Sequence, residues 1–149
     1  MAGGTRDGAY LLGSPAAHAA YDDDWAATYD EDFADATGYT YPGRVAQVFL
    51  AVARPADEPV VDVACGTGLL GAALLGSGMA VDGLDISGGM LAQARAKGAY
   101  RDLRVTDLTL PQTSASYGAV VSSGRSPWVT SVPTCSSASS GWDAPVPST

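Results

Sequence analysis

Apolar positions along the chain fall into short continuous runs and longer amphipathic stretches, and the two alternate. Val60 to Val63, interrupted only by Asp62, predicts a buried strand. Cys65-Gly66-Thr67-Gly68 follows as a glycine-rich turn, and Leu69 to Leu75 predicts a helix ended by Gly76 and Gly78. A second strand-like run starts at Met79 and ends at Asp85. Ser87 is placed to cap a helix reaching about Lys97, with Met90, Leu91 and Ala94 facing inward. Leu103 to Val105 predicts a short strand leading to Asp107, and Tyr117 to Ser122 another. Upstream, Ser14-Pro15 reads as N-cap and first helical position. Tyr21, Trp25, Tyr29 and Phe33 then recur every four residues, a helical stripe running to about Thr37, with Gly38 as its stop. A second helix starts near Tyr41-Pro42. Its Val45, Val48, Phe49 and Val52 predict the face resting on the sheet, Arg44 points to solvent, and Arg54-Pro55 ends it. Strands alternating with helices predict an α/β domain with a parallel, doubly wound sheet.

The stretch from Val60 to Asp85 carries the candidate chemistry. It is a strand–turn–helix–strand unit with carboxylates at the ends of both strands, Asp62 and Asp85. Glycines let the backbone approach a ligand, a helix start offers free N–H groups to an anion, and a carboxylate after the second strand can accept from ribose hydroxyls. A nucleoside-containing cofactor follows, and two classes fit. Gly66-Thr67-Gly68-Leu69-Leu70-Gly71 matches G-x-G-x-x-G, and Asp85 lies nineteen positions after Gly66, near the dinucleotide spacing. Asp62, four residues before Gly66, favours the other class. A carboxylate there opposes a pyrophosphate but welcomes the amino group and sulfonium of S-adenosylmethionine.

D-V-A-C-G-T-G at 62–68 resembles motif I of the class I S-adenosylmethionine-dependent methyltransferases. G-L-D-I-S-G-G-M-L-A-Q-A-R at 83–95, V-T-D-L at 105–108 and Y-G-A-V-V-S-S-G at 117–124 resemble that family's following segments, in family order. The resemblance covers Tyr21 to Gly124 and is nearest to the methyltransferase-like group named after the Williams–Beuren region. It implies a Rossmann-like, three-layer αβα fold with S-adenosylmethionine as cofactor and methyl transfer to a small-molecule acceptor. Asp62 would hold the methionine amino group. Ala64, Gly66, Thr67 and Gly68 would form the turn under the cofactor. Alanine at 64, where glycine is commoner, fits if that position needs no positive φ. Asp85 would take the ribose hydroxyls, Ile86 and Met90 would flank the adenine, and Asp107 with Leu108 would meet its amino edge. Ser122 and Ser123 would open the substrate end, and Gly118 stands where aspartate is common. N-terminal helices cover the site in this family, which points to Tyr29 as a lining residue. Packing alone would explain the aromatic stripe equally well.

Composition narrows the partners. The chain has 149 residues, enough for one modest domain, and a net charge of −8. That charge disfavours nucleic acid and anionic membranes as partners. No apolar span of membrane length and no signal-peptide pattern occur, so a cytoplasmic location is the default expectation. Cys65 and Cys135 make no disulfide framework, and His18, the single histidine, leaves no basis for a zinc site. Asp22-Asp23-Asp24 reads as a solvated helix face. The catalytic residues and the oligomeric state stay unassigned.

Residues 1–13 are glycine-rich and read as a mobile end. Residues 14–124 read as the first part of a methyltransferase domain, with about four strands and its C-terminal side incomplete. From Arg125 to Thr149 the chain is rich in Ser, Pro and Thr and loses all periodicity, which reads as disorder. The segment from Ser126 to Cys135 can be back-translated so that a neighbouring frame encodes F-T-L-G-H-V-G-P-D-V, a peptide of the family's type. The tail therefore reads as a frameshift product, and impaired methyl transfer is expected. Three readings stand: a methyltransferase or its truncated relic, a dinucleotide-binding oxidoreductase domain, and a non-catalytic fragment.

Overall fold

A computed structural model of the chain describes residues 7–8, 11–35, 37–112, 116–124, 129–130 and 133. Its elements are α1 (Pro15–Trp25), a π-helical turn (Asp30–Asp35), α2 (Tyr41–Val52), β1 (Val60–Val63), α3 (Leu69–Leu74), β2 (Val81–Asp85), α4 (Gly88–Lys97), β3 (Asp102–Val105) and β4 (Ala119–Val121). The strands form one sheet in the order β3-β2-β1-β4, every pairing parallel. The chain steps outward from β1 to β3 and then returns to the other side of β1. That reversal opens a crevice at the carboxyl ends of β1 and β4, where doubly wound sheets hold ligands.

The central strand β1 is buried on both faces, as a parallel sheet covered by helices requires. Val60 joins Ala46, Leu70, Leu74, Val81 and Val121 on one face, while Val61 and Val63 join Leu84, Leu108 and Tyr117 on the other. At the amino end of β2, buried Asp82 accepts from Arg101 Nε and Nη2 at 2.8 and 2.7 Å and from the Tyr117 hydroxyl at 3.0 Å. Burial pushes its carboxyl up, but these hydrogen bonds outweigh burial and leave it below the usual range.

Several expected boundaries and faces shift. The helix expected from Ser14 to about Thr37 ends at Trp25, although Ser14 caps it as expected, accepting from Ala17 N at 3.1 Å. A turn and the π-helical segment replace its second half, and there Asp30 makes long-range hydrogen bonds that override local helical periodicity. Tyr21, Trp25 and Tyr29 still stack edge to face, with centroids 6.0 and 4.7 Å apart. The side chain of Phe33 lies outside the described residues, as does most of the expected mobile N-terminus.

α2 buries a different face from the one expected. Val48 and Val52 are exposed, at 69% and 71%, whereas Pro42 and Ala46 are buried beside half-buried Val45 and Phe49. Positions 42, 45, 46 and 49 keep the i, i+3, i+4, i+7 spacing with a small residue at its centre, and small Ala46 lets α2 approach α3 closely. Nor is Asp22-Asp23-Asp24 only a solvated face. Asp23 Oδ1 accepts from Ser87 Oγ and Gly89 N at 2.5 and 2.7 Å, fastening α1 to the start of α4, and Asp22 pairs with His18 at 3.2 Å. Of the Ser/Pro-rich tail, Val129 packs against the second core cluster, Thr130 N donates to Leu108 O at 3.0 Å, and Pro133 is buried. The rest of the tail lies outside the described residues. Among the described residues no helix is long and apolar enough to cross a membrane.

Candidate functional site

The turn after β1 is held by its backbone geometry. Ala64, Gly66 and Gly68 take φ of 55°, 55° and 88°. Position 64 therefore does need a positive φ, and alanine occupies it under strain. A Cβ on Gly68 would come within 2.9 Å of the Tyr100 ring, so that glycine is also required for space. The turn is tied to the next strand: Cys65 N donates to Leu84 O at 3.0 Å, and Gly66 N donates to Asp85 Oδ2 at 2.8 Å.

Asp85 is buried at the end of β2, and its Oδ1 accepts from Ser87 N at 2.9 Å. Burial pushes its carboxyl up to about 6, against the pull of the Ser87 and Gly66 N–H groups. Asp62 is fully buried. Its Oδ2 accepts from the Tyr100 hydroxyl at 2.7 Å, and its Oδ1 has no hydrogen-bond partner among the described residues. Burial pushes it up to about 7; the Tyr100 hydrogen bond lowers it, and the nearby Asp85 charge raises it. Cys65, a buried free thiol between these carboxylates, is driven far above the ordinary thiol range by burial and by both charges, so it is no thiolate nucleophile.

The N-terminal segment lies against this turn. Asp30 accepts from Thr67 Oγ1 at 2.5 Å and from Lys97 Nζ at 2.6 Å, and Lys97 also donates to Thr67 O at 2.7 Å. Half-buried Tyr29 has its hydroxyl pushed up by burial, then by Tyr39, Asp22, Asp30 and Asp85, which places it within electrostatic reach of Asp85. Tyr39 donates to Ser123 O at 3.0 Å, reaching the end of β4. A groove of about 530 Å³ runs beside it, lined by Tyr39, Thr40, Arg44 and Gln47 and by Leu69 and Ala73 of α3.

The structure thus gathers Asp62, the turn from Ala64 to Gly68, Asp85 and Tyr29. Met90 is buried in the first turn of α4 and Ile86 is half-buried. Asp107 Oδ1 is engaged by Thr109 N and Oγ1 at 2.9 and 2.6 Å, an Asx turn that holds its carboxyl low. Leu108 packs beside Val63 in the second core cluster. Ser122 donates to Val63 O at 2.7 Å, joining the ends of β1 and β4. Tyr100, Asp30 and Lys97 were not expected here. The helix start is also less free than a bare α3 would be, because Gly71 N donates to Tyr100 Oη at 3.1 Å.

Comparison with known proteins agrees with this geometry. A family profile described as a methyltransferase domain matches residues 60–138. Human methyltransferase-like protein 27 is 40% identical over 106 residues, covering 66% of this chain and 42% of the relative. Among solved structures, the DhpI–SAH complex is 27% identical with a TM-score of 0.55, covering 69% of this chain and 50% of that one. A TehB-like SAM-dependent methyltransferase from Corynebacterium glutamicum is 26% identical with a TM-score of 0.56, covering 70% and 55%. Magnesium protoporphyrin IX methyltransferase of Synechocystis with bound SAM, 23% identical with a TM-score of 0.56 over 74% and 62% of the two chains, shares the fold. The chain spans about half the length of the relatives it matches.

Proposed function

The chain belongs to the methyltransferase-domain family, and on that premise we propose that it binds S-adenosylmethionine at the carboxyl ends of β1 and β2 for methyl transfer to a small-molecule acceptor. The observation that carries this reading is the pair of buried carboxylates flanking the left-handed turn, with Asp62 Oδ1 left without a partner among the described residues. A buried carboxylate oxygen of that kind is costly unless a cationic donor meets it. An ammonium group fits that need. A dinucleotide pyrophosphate would meet like charge, which argues against the oxidoreductase reading.

In this reading Asp62 holds the amino group of the cofactor's amino-acid portion. Asp85 keeps its turn-bracing bonds and offers its remaining lone pairs to the ribose. Ile86 and Met90 flank the adenine, and Asp107 and Leu108 meet its edge. Tyr29 closes the site from the N-terminal segment, and Ser122 marks the side on which the acceptor arrives. The bound cofactor supplies an activated sulfonium methyl, open to in-line displacement by a nucleophilic N, O, S or C of the acceptor. The protein's part is proximity and alignment. The groove beside Tyr39 and Leu69 is the place proposed for the acceptor. A reducing, cytoplasmic setting suits the free thiol of Cys65.

Incubating the chain with methyl-labelled S-adenosylmethionine and a mixture of small N-, O- and S-nucleophiles tests this reading, with products read by mass. Labelled product that disappears in Asp85→Ala supports it. Product formed equally by both proteins contradicts the assignment of the site.

A further inference from the structure

Tyr100 lies outside every segment that resembles a cofactor motif, yet it sits at the centre of the site's supporting structure. Its ring fills a slot whose walls are glycine. A Cβ on Gly71 would lie 2.6 Å from Tyr100 Cε2, one on Gly68 2.9 Å from Cε2, and one on Gly83 3.1 Å from Cδ1. Gly71 belongs to α3, Gly68 to the turn and Gly83 to β2, so three successive parts of the cofactor unit leave room for one aromatic ring. The hydroxyl at its tip is used twice: it accepts from Gly71 N at 3.1 Å and donates to Asp62 Oδ2 at 2.7 Å.

We infer that Tyr100 is a positioning residue for the cofactor: by occupying Asp62 Oδ2 it holds the carboxyl oriented and favours its charged form, leaving Oδ1 as the acceptor for the ligand's ammonium group. This rests on the cofactor reading given above. Among the described residues, the other groups around Asp62 leave this role to Tyr100. Asp85 on β2 is acidic, and Cys65 in the turn is a neutral thiol. The α2 residues packed on this side of the sheet, Val45, Ala46 and Phe49, carry no titratable group. Tyr100 therefore supplies the side-chain hydrogen bond that favours the charged carboxylate, and without it burial and Asp85 both drive Asp62 toward its neutral form. A neutral carboxyl loses its charge-assisted hold on an ammonium group.

The test uses the whole chain and two probes, S-adenosylhomocysteine and adenosine, titrated by calorimetry from pH 6 to 9. The wild-type chain should bind S-adenosylhomocysteine more tightly as pH rises through about 7, whereas adenosine should show only the lower step, near 6, that Asp85 gives to both ligands through the ribose. Tyr100→Phe keeps the ring in its slot and removes only the hydroxyl. It should weaken S-adenosylhomocysteine roughly tenfold at neutral pH, as expected for a lost hydrogen bond to a charged group. It should also move the pH midpoint upward and leave adenosine affinity within about twofold, a change too small for a lost hydrogen bond. Asp62→Asn should abolish the step near 7 in both backgrounds and leave the one near 6. Equal weakening of both ligands, or an unmoved midpoint, would show that Tyr100 only packs, and would overturn the inference. A wild-type chain that binds adenosine but never prefers S-adenosylhomocysteine overturns it too. If the wild type binds neither, the cofactor reading fails first and carries this inference with it.

Discussion

Gly66 donates its backbone N–H to the Asp85 carboxylate at 2.8 Å, joining the glycine turn to the end of β2 across nineteen residues of chain. The residue proposed to hold the ribose is thus also the residue that fastens the turn beneath the cofactor. Asp85→Ala removes both roles. We predict that it weakens S-adenosylhomocysteine binding by about 1.5–3 kcal/mol, the range for hydrogen bonds to a charged group. Calorimetry measures this directly, and unchanged affinity would place the ribose elsewhere.

The buried carboxylates set a pH dependence of stability. Asp62 and Asp85 are pushed up to about 7 and about 6, above the value near 3.9 of an unfolded aspartate. Between these limits the folded chain binds more protons than the unfolded one. Their contribution is fully present below about pH 4 and is lost as pH rises through 6 and 7. Asp82, held low by Arg101 and Tyr117 against burial, acts in the opposite sense, stabilising above about pH 4 and failing on acidification through its folded value. Thermal melts of the ligand-free chain should therefore be highest near pH 4 and fall steadily to pH 8. Asp62→Asn should flatten the fall, and a melting temperature that rises from pH 5 to pH 8 would contradict the burial of both groups.

How much of this was legible in the sequence depended on range. β1, the turn, α3 and β2 are specified locally, by a buried run, left-handed glycines and a second buried run, and the expected boundaries were met within two residues. Ser87 capped α4 as read, accepting from Met90 N at 3.0 Å. The face of α2 was misread because two sets of positions share one spacing, and Ala46 carries less hydrophobic weight than Val48 while packing more closely. Asp30, Lys97 and Tyr100 were invisible for another reason. They meet Thr67 and Asp62 across 37, 30 and 38 positions, contacts that no local pattern encodes. The strain at Ala64 was posed as a condition on φ, and only the backbone could answer it.

That strain gives a further prediction. Ala64 holds φ of 55°, a conformation costing an L-residue about 1–2 kcal/mol relative to glycine. Ala64→Gly should therefore stabilise the chain by about 1 kcal/mol, after allowance for the greater freedom of glycine when unfolded. The gain should appear as a rise of a few degrees in melting temperature. A fall would mean that the methyl group's contacts with the second core cluster outweigh the strain.

Asp30 joins the N-terminal segment to the turn through Thr67 and Lys97. Both charged side chains are partly exposed, so the pair contributes at most about 1 kcal/mol to global stability. Its local effect should be larger. Asp30→Ala should speed amide exchange through residues 26–35 while leaving β1 and β2 protected. Unchanged exchange in that segment would show that the aromatic contacts of Trp25 and Tyr29 alone hold it.

The central claim is the cofactor class, and the most direct test is a calorimetric titration of the wild-type chain with S-adenosylhomocysteine and, separately, with NAD. The two carboxylates at the strand ends predict saturable one-to-one binding of S-adenosylhomocysteine and no measurable binding of NAD. Tighter binding of NAD, or binding of neither, would contradict the account.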